Sequence, residues 1–222
     1  MGGYFSWLTT RDVAMIFMQY YIYILISLIV ILKNMSLFLN NLRDHIKLFE
    51  QLVSLDMPIL EASQLITTAL KNSKKLMICG NGGSAADSQH IAAEFTGRFV
   101  KDRPPIAALA LSTDTSALTC ISNDYSFNEI FSRQLKALGL KGDCLLAIST
   151  SGNSENVMQA VRAANEMGIS TIGLLGRDGG KLKSLCDLSI IVPSDITARI
   201  QEAHILIGHT LCGSVELGLN LV

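Results

Sequence analysis

The sequence predicts an α/β fold in which helices cover both faces of a central five-stranded parallel sheet, with further helices at the N-terminus. Three observations carry that prediction. Short apolar runs fall at 75–79, 106–111, 144–149, 171–175 and 188–192; segments of helical pattern alternate with them; and two of the runs end in glycine- and serine-rich turns. Continuous apolar strands separated by helices indicate parallel strands buried on both faces. In such sheets a ligand binds beyond the carboxyl ends of the strands.

The chain opens on an apolar segment. Residues 13–32, "VAMIFMQYYIYILISLIVIL", carry no charge and are long enough to span a bilayer. Arg11 is followed by Asp12, and no small-x-small site follows the run, so the pattern is not that of a cleaved signal peptide. "MGGYFS" fits the myristoylation pattern only loosely. Met35 then opens "MSLFLNNLRDHIKLFEQLVSL", an amphipathic helix able to begin a soluble protein. Residues 1–35 are therefore expected to be an extension created by an early start codon, outside a domain at 36–222. The other reading is a membrane anchor. In either case Lys33, Arg43 and Lys47 behind the run leave the rest of the chain cytoplasmic.

Residues 36–72 read as two helices, with Asp56 as N-cap and Pro58 as an early helical proline at their junction. After the first strand comes "GNGGS" (80–84), and after the third "STSGNS" (149–154). Helices are expected to open at Ser84 or Ala85 and near Glu155. The last helix, about 198–221, is apolar on most faces, so it is expected to pack in a bundle with the N-terminal helices or against another subunit.

With 18 basic against 19 acidic residues the formal charge is −1, so no global field points to nucleic acid or an anionic membrane. Small-molecule chemistry is the expectation. The five cysteines, Cys79, Cys120, Cys144, Cys186 and Cys212, form no Cys-x-x-Cys pair, which predicts buried thiols in a reducing cytosol.

Hydroxyl side chains at a helix N-terminus, with glycines that admit close approach, make an anion site without a lysine. "STSGNS" supplies Ser149, Thr150, Ser151 and Ser154 at the right edge of the sheet. "GNGGSA" also fits a dinucleotide fingerprint, Gly80-x-Gly82-x-x-Ala85, but no acid closes the second strand as that site requires, because the chain there reads "VKDRPP". On the helix opening at Ser84, His90 and Glu94 lie one turn apart, with Asp87 and Arg98 continuing the stripe. The stripe is either a solvated face or a place for a divalent metal, zinc by ligand type. The last helix adds Gln201, His204 and His209 to an otherwise apolar sequence.

Five blocks in order, "ICGNGGSAADSQHIAAEFTGR", "STDTSALTCISNDYSFNEIFSRQ", "AISTSGNSENV", "GRDGGKL" and "VPSDITARIQEAHILIGHTLC", resemble the phosphoheptose isomerases of the sugar isomerase (SIS) domain class. The resemblance runs from about residue 36 to the C-terminus. It implies a three-layer α/β sandwich of flavodoxin-like topology, a homotetramer with active sites between subunits, and conversion of D-sedoheptulose 7-phosphate to D-glycero-D-manno-heptose 7-phosphate. That reaction begins the route to ADP-heptose for bacterial lipopolysaccharide or related glycans. Matching motifs imply one zinc ion per subunit held by His90, Glu94, Gln201 and His209. They imply substrate contacts from Asn81, Gly82, Gly83, Ser84, Glu94, Asn123, Asp124, Ser149, Thr150, Ser151, Ser154 and Gln201. Glu94 and His209 would be the acid/base pair.

One spacing strains that set: Gln201 and His209 are eight residues apart, about 12 Å along a straight helix. Either Gly208 marks a bend or the ligands come from two chains, whereas His204 would fit one straight helix better. Two readings of another class share the fold, a replication-initiation regulator that binds the initiator protein and a sugar-phosphate sensor. The regulator lacks the residues matching Glu94 and His209, and a sensor needs neither, so their presence favours an enzyme.

Overall fold

The computed structural model describes residues 10–33 and 36–222. The myristoylation motif at 1–6 and the expected start at Met35 lie outside the described residues. The chain divides into two compact units, the first ending at Ile46 and the second running from Lys47 to Val222. In the first, α1 (Thr10–Lys33) forms from the uncharged run, and its Phe17, Tyr20, Tyr21 and Tyr23 are exposed. Among the described residues, no helix is long and apolar enough to cross a membrane.

Helix α2 (Leu37–Gln51) passes from the first unit into the second, where a 3₁₀ turn at Leu52–Leu55 leads into α3 (Asp56–Lys71). The N-cap of α3 is Leu55, not Asp56. The 3₁₀ turn keeps the backbone helical across the junction, so Asp56 falls in the first turn of α3, where its charge complements the helix dipole.

Five strands then alternate with helices: β1 (Leu76–Cys79), α4 (Gly83–Thr96), β2 (Ala108–Ala110), α5 (Thr115–Asp124), α6 (Ile130–Leu138), β3 (Cys144–Ser149), α7 (Glu155–Glu166), β4 (Ser170–Gly176), β5 (Leu188–Val192) and α8 (Thr197–Gly218). All pair in parallel in the order β2-β1-β3-β4-β5, the flavodoxin-like order. The connections leave β1 and β3 in opposite directions, so the topological switch point falls between these two hydrogen-bonded strands.

Alternating strand residues feed two cores. Leu76, Ile78, Leu146 and Ile148 pack with Ile66, Ile91, Phe95 and Leu211 on the face covered by α3, α4 and α8. Met77, Cys79, Leu145 and Ala147 pack with Phe131, Leu135, Val157 and Val161 on the face covered by α6 and α7. Of the cysteines, Cys79, Cys144 and Cys212 are buried as expected, Cys186 is half-buried, and Cys120 is exposed on α5. All five are free thiols. Cys120 departs from the expectation because α5 has no buried residue.

Candidate active site

Both glycine- and serine-rich loops lie at the switch point, since they follow strands β1 and β3, which pair directly. Gly82 ends the first loop at φ 55, ψ −120, a conformation that only glycine adopts readily, and the backbone N–H groups of α4 follow from Gly83. In the second loop Gly152 has φ 64, and alanine there would strike the Gly179 carbonyl oxygen and come within 2.7 Å of the Gly180 nitrogen. The loop thus rests against the turn after β4, where the Gly152 carbonyl also accepts a hydrogen bond from the Leu182 N–H at 3.0 Å.

Ser154 is the N-cap residue of α7, yet its hydroxyl makes no cap hydrogen bond and lies 3.0 Å from that of Ser149. An ordinary turn would turn this hydroxyl onto the helix's own N–H groups. Here it turns instead to the Ser149 hydroxyl, which places paired hydroxyls beside the start of α7, the composition of an anion site. A reciprocal amide pair ties the two loops together, with Asn81 and Asn156 each donating to the other at 2.8 Å. Asn156 is buried and was not singled out by its sequence context, since one asparagine in the first turn of a helix carries no distinguishing signal.

Helices α4 and α8 run side by side in the same direction. Gly83 faces Gln201, Ile91 faces Gly208, and His90 faces His209. A Cβ at Gly208 would lie 2.6 Å from Ile91 Cδ1. The glycine therefore serves close helix approach, and α8 runs through it as one helix from Thr197 to Gly218. This approach places His209 Nε2 3.1 Å from His90 Nε2, while His90 Nε2 lies 3.2 Å from Glu94 Oε1.

One ligand atom from each of His90, Glu94 and His209 lies within 4.8 Å of the others. Ligand atoms bound at about 2.0–2.1 Å in a tetrahedron stand ~3.3 Å apart, so the donor set and its spacing fit a zinc-sized ion. The Phe99 ring packs against the His209 ring, with centroids 5.5 Å apart and planes at 31°. Asp87, one turn before His90, has one carboxylate oxygen without a partner, and burial raises its pKa against the lowering effect of His90.

Not every expected residue joins this group. Gln201 seats its amide against Gly83 at the start of α4, two turns before His209 on its helix. His204 is enclosed in the core, its Nε2 3.1 Å from the Leu175 carbonyl oxygen, which removes it as an alternative ligand. Asn123 and Asp124 are exposed at the end of α5; the Asn123 amide donates to Asp124 at 2.8 Å and lowers the Asp124 pKa. Arg98 lies beyond the end of α4 and donates to the Val100 carbonyl, so the polar stripe stops at Glu94.

An anion cradle at the start of α4, and further along it a carboxylate with one imidazole met by a second from α8, suit a substrate with a phosphate at one end and a reactive carbonyl at the other. Sugar-phosphate isomerases handle such substrates. A family model for the SIS domain matches residues 38–176. The phosphoheptose isomerase of a Nitratiruptor species is 57% identical over 178 residues, covering 80% of this chain and 95% of that protein. The enzyme of the same name from Campylobacter concisus is 53% identical over 177 residues, covering 80% and 94%. The solved structure of phosphoheptose isomerase from Neisseria gonorrhoeae superimposes with a TM-score of 0.76 at 47% identity, over 80% of this chain and 96% of that one. The chain belongs to the SIS-domain family and, within it, to the phosphoheptose isomerases. It is a sugar-phosphate isomerase.

Proposed function

We propose that the protein interconverts D-sedoheptulose 7-phosphate and D-glycero-D-manno-heptose 7-phosphate through an enediol, with zinc assistance, as the cytoplasmic first step towards ADP-heptose for bacterial lipopolysaccharide or related glycans. The observation that carries this reading is the meeting of His209, on α8, with His90 and Glu94 on α4, the helix that the "GNGGS" loop begins. The names of the relatives support the choice of substrate.

Moving the carbonyl from C2 to C1 requires removal of a proton at C1 and delivery of one at C2. Glu94 and His209 exchange these protons with the substrate, one on each carbon; because a metal-bound carboxylate is a weaker base, Glu94 serves as ligand or as base in a given step, not as both. The hydroxyls of Ser149, Thr150, Ser151 and Ser154 bind the phosphate together with the N–H groups of Gly82 and Gly83 and the hydroxyl of Ser84, whose own N–H donates to the Asn81 carbonyl. Asn81, braced by Asn156, borders the same space. Gln201, held over the start of α4, orients the sugar. Bound by His90, Glu94 and His209, zinc would supply Lewis-acid polarisation of the carbonyl and support enediolate charge.

A homotetramer with sites between subunits completes this arrangement. The His90 side chain is 48% exposed, and an isomerase must shield its enediol from water. Gln201 lies two turns from His209 on one continuous helix, so in this reading it joins the zinc from a second copy, and Asn123 and Asp124 reach the sugar in the same way. Residues 1–34 are dispensable in this reading.

The test is turnover of sedoheptulose 7-phosphate by a chain beginning at Met35, with zinc, with a chelator, and in Glu94→Gln. Activity abolished by the chelator, restored by zinc and lowered at least about 100-fold in Glu94→Gln supports the proposal. A folded, zinc-loaded protein without turnover refutes it and leaves a binding module.

A further inference from the structure

We infer that Arg103 and Glu216 are positioning residues that hold His209 against the His90–Glu94 pair, an inference that rests on the role proposed for that cluster. Arg103 lies in the connection between α4 and β2, and Glu216 lies on α8. Their side chains are 1% and 2% exposed, with Arg103 Nε donating to Glu216 Oε1 at 2.7 Å.

The remaining guanidinium donors close the end of α4. Nη2 donates to the carbonyl of Glu94 itself at 2.7 Å, and Nη1 faces the carbonyls of Phe95 at 2.7 Å and of Gly97 and Pro104 at 3.0 Å. A helix leaves its last carbonyls unpaired and carries negative charge there, so an enclosed cation fixes where the helix ends. Glu216 follows His209 by seven residues, two turns along the same face of α8. The ion pair therefore joins the backbone that carries Glu94 to the helix that carries His209.

A second link passes through Phe99. Its backbone N–H donates to the same Glu216 oxygen at 3.4 Å, and its ring packs on the His209 ring. Glu216 thus fixes both His209's helix and the aromatic surface behind the imidazole. A buried ion pair adds little stability over apolar residues of the same volume. What this pair supplies is the register of α4 against α8, which sets the 3.1 Å between the two imidazole nitrogens.

The test compares Glu216→Gln, which keeps the shape and removes the charge, and Arg103→Lys, which loses the fork. The double variant Arg103→Met/Glu216→Leu removes both charges should either single variant fail to fold. Asp143→Asn is the control. It breaks a buried ion pair with Lys75 (2.6 Å) at the opposite, amino-terminal edge of the sheet.

The first readout is the ring proton and carbon shifts of His209 in the zinc-free chain, which report its packing on Phe99. The second is zinc affinity by calorimetry, and the third is the division of any activity loss between kcat and KM. The expected result is displaced His209 shifts, zinc affinity weakened roughly 10–100-fold, and a loss in kcat with KM little changed, because the phosphate loops are untouched. Asp143→Asn should melt earlier with wild-type shifts and zinc affinity. His209 shifts identical to wild type in the pair variants, whatever their melting temperatures, overturn the inference. A wild-type chain that neither binds zinc nor turns over would refute the proposed function instead, while the ring shifts still decide this inference.

Discussion

Replacing Gly83 with alanine should raise stability while damaging catalysis, the trade-off expected where a site is organised for function. Gly83 is the first residue of α4 and has no left-handed φ, so alanine is compatible with its backbone. Gly→Ala in a helix is worth up to about 1 kcal/mol, or roughly 2–4 °C in Tm for a chain of this size. The added Cβ, however, would strike the Gln201 amide nitrogen and lie 2.8 Å from its Cδ, where ordinary contact begins at 3.4 Å. The amide must withdraw by on the order of 1 Å, a misplacement that can reduce turnover about 100-fold in an organised site. The expected outcome is an unchanged or raised Tm with kcat/KM down about 10–100-fold on sedoheptulose 7-phosphate. A double-mutant cycle isolates the cause: Gly83→Ala/Gln201→Ala should be no slower than Gln201→Ala alone, because the clash has gone. If Gly83→Ala keeps kcat/KM within about twofold of wild type, Gln201 is not held by Gly83 and its role as a substrate contact fails.

Gly152→Ala should behave differently. Its φ of 64 and its clash with the backbone of Gly179 and Gly180 cannot be relieved by moving a side chain, so Tm and turnover should fall together, with at least about 2 kcal/mol lost in urea unfolding; a wild-type Tm would contradict the packing described for this loop. His204 predicts a pH effect. Burial lowers its pKa from 6.5 to about 4, against the raising effect of its hydrogen bond to Leu175. The unfolded chain therefore binds a proton that the folded chain refuses between those values. Stability should fall as pH drops from 6.5 to about 4, by about 3 kcal/mol from this group. Urea unfolding of wild type and His204→Gln across that window should show a steeper slope for wild type, and parallel slopes would remove His204 as the cause.

Much of this protein is written in local pattern. Five apolar runs separated by helical segments specify five parallel strands, because a buried strand and a covering helix each impose a periodicity visible within a few residues. The loops at 80–84 and 149–154 are equally legible, as is the pairing of His90 with Glu94 one turn apart. Resemblance to a known family then selected His209, which spacing alone did not prefer over His204.

Tertiary structure decided what those signals meet. His90 and His209 are 119 residues apart, and their 3.1 Å contact exists because the strand order brings α4 and α8 onto one face and Gly208 admits Ile91. Contacts of that kind depend on which helix face turns inward and how closely two backbones approach, neither of which any short window encodes. The same holds for Asn156 behind Asn81, Phe99 behind His209, and Arg103 with Glu216, all residues of ordinary local context. Periodicity determines elements, and therefore the fold class and its loops; packing determines which distant side chains share a site.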